Sequence, residues 1–132
     1  MTRPAADPDA FVAECPARDL LSRLSDKWVS LVLVALTPGS RRFRELHRRI
    51  DGVSQKMLTQ TLRSLERDGL LTRTLTPTVP PRTDYELTEL GRSLLPIVAA
   101  IKTWAEAHID DVAEAREKYE TSHAAADRGA LV

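Results

Sequence analysis

Cysteine is nearly absent from this sequence: Cys15 stands alone, so no disulfide can form within the chain. Long apolar runs are missing too, and none reaches the roughly eighteen residues that a membrane span requires. The N-terminus is polar and carries Pro4 and Pro8, unlike the apolar core of a signal peptide. Together these absences point to a cytoplasmic protein with no membrane partner. Glycine is sparse and scattered, so no phosphate-cradling loop and no G-x-S-x-G turn can be drawn. The three histidines, His47, His108 and His123, lack metal-ligand spacing and read as solvated or packing groups. No cysteine and histidine lie near one another in sequence. The expectation is a protein without cofactor or metal, and not an enzyme.

What is present is charge, unevenly placed. The chain of 132 residues has a net charge of zero. Residues 1–40 carry −1, residues 41–82 carry +6 from ten Lys/Arg against four Asp/Glu, and residues 83–132 carry −5. Such a split suggests a polyanion-binding section held on an acidic scaffold. The length suits one domain with a real core.

The basic third contains the most informative stretch, Val53 to Gly69. Leu58, Leu62 and Leu65 recur at helical spacing, while Lys56, Gln60, Arg63 and Arg67 fall on the opposite face and Thr59 on the flank. Ser54 can cap the start and Gly69 can turn the chain after the end. By itself this is equally an ordinary amphipathic helix with a solvated face. Its neighbours favour a nucleic-acid role. Arg41 to Ile50 reads as a helix with Phe43, Leu46 and Ile50 inward and five arginines plus His47 around them. Asp51-Gly52 supplies a tight turn between the two, the signature of a helix-turn-helix.

Two strands are expected next, Leu70 to Leu75 and Thr83 to Leu87. Leu71 and Leu75 share one face, as do Tyr85 and Leu87. Arg73 falls on the leucine face and must carry its head to the edge. Thr76 to Arg82 holds three prolines and cannot be central strand, so it should form a stiff projecting tip. A helix-turn-helix followed by such a hairpin is a winged helix. The fold class expected is mainly α with a small antiparallel β-hairpin wing, a winged helix-turn-helix with N- and C-terminal dimerisation helices.

Upstream, residues 1–14 read as a flexible arm with Phe11 and Val12 as its anchors. A short helix comes next, from about Ala17 to Leu24, with Leu20, Leu21 and Leu24 on its apolar face. Ser25 and Asp26 can cap a helix from Lys27 to about Leu36 that is apolar nearly all round and should be buried. Downstream, Thr88 can cap a long helix, Glu89 to Tyr119, with a stripe of Leu90, Leu94, Ile97, Val98, Ile101, Trp104, Ala105, His108, Ile109 and Val112. Pro96 should kink it. Its first part suits the winged core, and its second part suits either a partner chain or its own domain. Residues 15–120 thus form the expected domain, and 121–132 a disordered tail.

Several of these segments resemble the HxlR-type transcriptional regulators, a MarR-like group. They are Asp26-Lys27-Trp28, Arg42-Phe43-Arg44-Glu45-Leu46, Val53 through Thr59, Leu65 through Leu70, Pro80-Pro81-Arg82, Tyr85-Glu86-Leu87-Thr88, and Gly91 before Leu95-Pro96. The resemblance spans roughly Cys15 to Trp104. It implies a dimeric winged helix-turn-helix protein that binds duplex DNA near a promoter. Asp26 stands where the family often has glycine, and Thr83 where it usually has valine.

The contacts expected with DNA rest on side-chain chemistry. Gln55 and Gln60 can pair bidentately with adenine, and Arg63 or Lys56 with guanine or phosphate, with Thr59 beside them. Ser54 and the helix start can take a phosphate. Arg67 lies a turn further and outside the groove. Arg41, Arg42 and Arg44 would clamp the backbone, and Arg73 and Arg82 would serve the wing. A homodimer should read an inverted repeat with half-sites about one helical turn apart, or a multiple of it.

Cys15 is the one candidate redox sensor, since it precedes a helix N-terminus that can favour thiolate. The resemblance implies the same, because several members sense oxidants or electrophiles through an N-terminal cysteine. A small apolar residue near a dimer seam is the other reading. A candidate small-molecule effector pocket lies near Trp28 or Trp104, although Trp28 also suits a core anchor. A winged-helix protein-interaction module without DNA binding is the alternative function.

Overall fold

The computed structural model describes residues 7–130. Arm residues 1–6 and tail residues 131–132 lie outside the described residues. The order of elements is α1 (Pro16–Leu24), α2 (Lys27–Ala35), β1 (Arg41–Arg42), α3 (Phe43–Arg49), α4 (Gln55–Arg67), β2 (Leu71–Thr76), β3 (Arg82–Leu87) and α5 (Glu89–Ala130). The chain divides into two compact units after Val98.

The first unit is the winged helix. Asp26 caps α2 by accepting hydrogen bonds from the backbone N–H groups of Trp28 (2.7 Å) and Val29 (3.3 Å). A glycine there would leave these donors without a side-chain partner. Val29, Val32, Leu33 and Leu36 enter the core with Leu46 and Ile50, then Leu58, Leu62 and Leu65, and finally Leu70, Leu71, Tyr85, Leu87 and Val98. Trp28 packs half-buried at the edge of that core, with Lys27 Nζ 4.7 Å from its ring centre.

The sheet has three strands in the order β1-β3-β2, all antiparallel. One expectation is corrected here. Arg41 and Arg42 are strand residues, paired with Tyr85 and Asp84, and the helix begins only at Phe43. The backbone of Arg42 is extended, and the free edge of β3 offers its unpaired groups a ladder that the helical pattern hid. Leu75 is 57 % exposed although it shares a face with Leu71. It stands near the tip, beyond the reach of the core. The tip itself is exposed, with Val79 wholly so, and it contains a cis Val79–Pro80 bond.

Thr88 joins the wing to α5. Its hydroxyl donates to the Gly69 carbonyl (2.6 Å) and accepts from the Gly91 N–H (3.1 Å), while its own N–H donates to the Leu70 carbonyl (3.1 Å). The helical path runs without a break through Pro96.

The second unit is the rest of α5. The segment expected to be disordered from Thr121 is helical to Ala130. Its His123-Ala124-Ala125-Ala126 run explains this, because alanine is the strongest helix former and no proline intervenes. Phe11 and Val12 also depart from expectation: both are exposed, in a turn closed by the Val12 N–H on the Asp9 carbonyl at 3.0 Å.

Candidate nucleic-acid interface

The candidate recognition element is α4, and its two faces differ. Ser54 Oγ accepts from the Met57 N–H at 3.0 Å and so caps the first turn. Leu58, Leu62 and Leu65 are buried, and Thr61 joins them with its hydroxyl donating to the Met57 carbonyl at 2.9 Å. That bond lets a polar side chain face the core at little cost. The other face is left to solvent: Gln55, Lys56, Gln60, Arg63 and Arg67 are exposed, and Thr59 is half-buried. Gly52 (φ +84°) and Gly69 (φ +75°) bracket the element in the left-handed conformation that glycine adopts without strain. The turn before it is anchored by buried Ile50 and Val53.

Around α4 the cations fall into two groups. Arg42, Arg44, Arg48, Arg49, Lys56, Arg63 and Arg67 have no carboxylate partner among the described residues, whereas Arg41, Arg73 and Arg82 have one. Arg41 Nη1 lies 3.3 Å from Glu45 Oε2, and Glu45 Oε1 also accepts the Arg42 N–H at 3.1 Å. That backbone bond, aided by the Arg41 guanidinium, lowers the Glu45 pKa below its ordinary value. Arg73 does carry its head to the edge, where Nε meets Glu66 of α4 at 3.3 Å. It therefore ties the wing to the recognition helix. Arg82 forms a forked pair with Asp84, and this pair holds it protonated more firmly than an ordinary arginine. Sequence reading missed all three carboxylates. Glu45 at helical spacing from Arg41, and Asp84 at strand spacing from Arg82, carried a local signal; Glu66 and Arg73, on different elements, carried none.

A shallow cleft of about 300 Å³ runs beside α4, lined by Arg23, Gln60, Arg63, Ser64, Arg67 and Asp68. Arg23 closes one side by bonding to Asp19 and, at 3.2 Å, to Asp68. Neither tryptophan lines it. Trp28 belongs to the winged unit and Trp104 to the helical unit, where Trp104 stacks on His108 with ring centres 4.3 Å apart. Cys15 stands at the N-cap position of α1, where its side chain makes no capping hydrogen bond, and is half-buried. Among the described residues no group of His, Cys, Asp and Glu is placed to hold a metal ion, and no helix is long and apolar enough to cross a membrane.

A capped helix with a polar outer face, a tight turn before it and a three-stranded wing after it define a winged helix-turn-helix DNA-binding regulator. Comparison with known proteins gives the family. The chain matches the HxlR-like helix-turn-helix family over residues 23–113 and belongs to it. It is 44 % identical over 108 residues to the HTH-type transcriptional regulator YtfH of Escherichia coli (strain K12), covering 82 % of this chain and 86 % of the relative. The solved transcriptional regulator ytfH from Salmonella typhimurium has a TM-score of 0.80 and 42 % identity, covering 84 % of this chain and 99 % of that one. The redox regulator HypR in its oxidised form has a TM-score of 0.64 and 40 % identity, covering 70 % and 96 %. A solved MarR-family transcriptional regulator from Porphyromonas gingivalis W83 has a TM-score of 0.64 and 36 % identity, covering 79 % of this chain and 97 % of that one.

Proposed function

We propose that this protein binds a promoter operator as a homodimer, with α4 of each protomer in the major groove and each wing over the adjoining backbone. The exposed polar face of α4, within a segment of net charge +6, carries this reading. Gln55, Lys56, Thr59, Gln60 and Arg63 address base edges, and Ser54 addresses a phosphate. Arg41, Arg42 and Arg44 clamp the backbone, and Arg73 and Arg82 serve the wing. Gel shifts with Arg63→Ala and Arg82→Ala separate the roles. Arg63→Ala should relax base preference, whereas Arg82→Ala should leave the order of base preference unchanged and lower the salt slope on the operator by about one. Unchanged binding in both would refute the docking.

Exposed apolar side chains support the dimer. Ile97, Ile101, Trp104 and Ile109 on α5, and Leu20 and Leu21 on α1, are uncovered in the single chain. Large apolar side chains left uncovered on a helix suit burial against a partner chain.

Regulation through Cys15 is supported by its partial exposure and by the likeness to a redox regulator. Two thiols on two protomers would each lose a hydrogen to an oxidant such as a quinone or diamide and form one disulfide. Non-reducing electrophoresis after mild oxidant, with Cys15→Ser as control, tests this. A dimer-sized band is expected; no band and unchanged DNA binding would refute it. A small effector near Trp28 or Trp104 is the rival mode, and metabolite-induced quenching of tryptophan fluorescence would favour it.

A further inference from the structure

The Arg82–Asp84 pair is the most completely formed ion pair on the expected DNA face. Arg82 Nε lies 2.9 Å from Asp84 Oδ2 and 3.2 Å from Oδ1, and Nη2 reaches Oδ1 at 3.2 Å. The two residues are two apart on β3 and share the solvent face of the sheet. Asp84 stands directly opposite Arg42 on β1 and Thr74 on β2. One carboxylate therefore sits among two cations that were expected to meet phosphate. Its side chain is 19 % exposed against 47 % for Arg82, so the carboxylate is the shielded partner and the guanidinium the accessible one.

We propose that Asp84 is a specificity-determining residue: it cancels the charge of Arg82 and so restrains the wing from binding phosphates of any sequence. The proposal rests on the DNA-binding reading of the wing. Non-specific affinity follows the number of phosphates that the protein neutralises. On a random duplex the wing presents a neutral pair and contributes little. When α4 is seated on its operator, a phosphate is held beside Arg82. The guanidinium is the accessible partner and has donors to spare, so that phosphate can reach it and draw it from Asp84. Specificity is the ratio of the two affinities, and a carboxylate that lowers the non-specific one raises the ratio.

The test measures affinity against salt for the full chain and for Asp84→Asn, Arg82→Ala and the double variant. The probes are a short duplex of scrambled sequence and the duplex immediately upstream of the protein's own gene. Asp84→Asn should bind the scrambled duplex several-fold tighter, with a log–log salt slope steeper by about 0.9 per protomer. Its preference for the upstream duplex should fall. On the scrambled duplex Arg82→Ala should have a shallower slope, and the double variant should return close to the parent. Asp84→Thr, which suits a strand, serves as a second neutral variant if the asparagine unfolds. Asp111→Asn on α5 makes the same change of net charge in the other compact unit and should leave the slope as it was. Parental slope and affinity in the neutral variants, with Arg82→Ala still shallower, would overturn the restraint alone. So would an Asp111→Asn effect equal to theirs. No effect of Arg82→Ala would overturn the restraint and the wing reading together.

Discussion

Gly91 lies where the first turn of α5 passes the backbone of Leu70, just before β2. A Cβ there would run into the Leu70 carbonyl oxygen and stand 3.3 Å from Leu87 Cδ2. The same carbonyl accepts the Thr88 N–H, so it cannot give way without loosening the junction. Gly91→Ala should therefore cost about 1–3 kcal/mol, read as a lower midpoint in chemical unfolding; an unchanged midpoint would contradict the close approach. Glu45 gives a pH prediction. Its folded pKa is depressed, first by the Arg42 N–H and then by Arg41. The stabilisation is present above the unfolded carboxylate value and is lost as pH falls through the lower folded value. An NMR titration of the Glu45 carboxyl should show a midpoint below that of an ordinary glutamate. A midpoint at or above it would contradict the cap. At this scale the sequence was legible where a bond is local: Ser54, Asp26 and Thr88 were all identifiable as caps, each an oxygen-bearing side chain just before a helical pattern. Arg73–Glu66 was not, because the partners lie on different elements and meet only after folding.

The recognition helix was the most legible element. Its three leucines fixed the buried face, and the same period places the outer cations. Ser54→Ala should destabilise the protein by about 0.5–2 kcal/mol through loss of the cap, and should weaken DNA binding on every sequence. Full stability after that change would mean that the Met57 N–H finds another partner. The least legible element was β1. Two arginines beside a helical pattern look like the first turn of that helix, and only the edge of a distant β3 makes them strand. The end of α5 was misread for the opposite reason. A polar, alanine-rich segment lacks an apolar stripe, but it keeps a high intrinsic helix propensity, which suffices to extend a helix already formed.

For the whole molecule, charge and apolar surface fall in different places. The +6 segment contains the turn, α4 and most of the wing, whereas the uncovered Ile101, Trp104 and Ile109 lie on the acidic remainder of α5. That division suits a dimer held by its helices and reading DNA with its winged units. Ile101→Glu should shift the protein toward monomer in sedimentation and weaken operator binding, since each half-site would then be bound alone; an unchanged dimer would place the interface elsewhere. The central claim is that the outer face of α4 reads duplex DNA. Salt-dependent affinity for the duplex upstream of its own gene, compared between the parent chain and Arg63→Ala, tests it most directly. The parent should bind more weakly as salt rises, by several powers of the concentration, and Arg63→Ala should lose preference for that duplex over a scrambled one. Binding independent of salt, or full preference retained without Arg63, would contradict it.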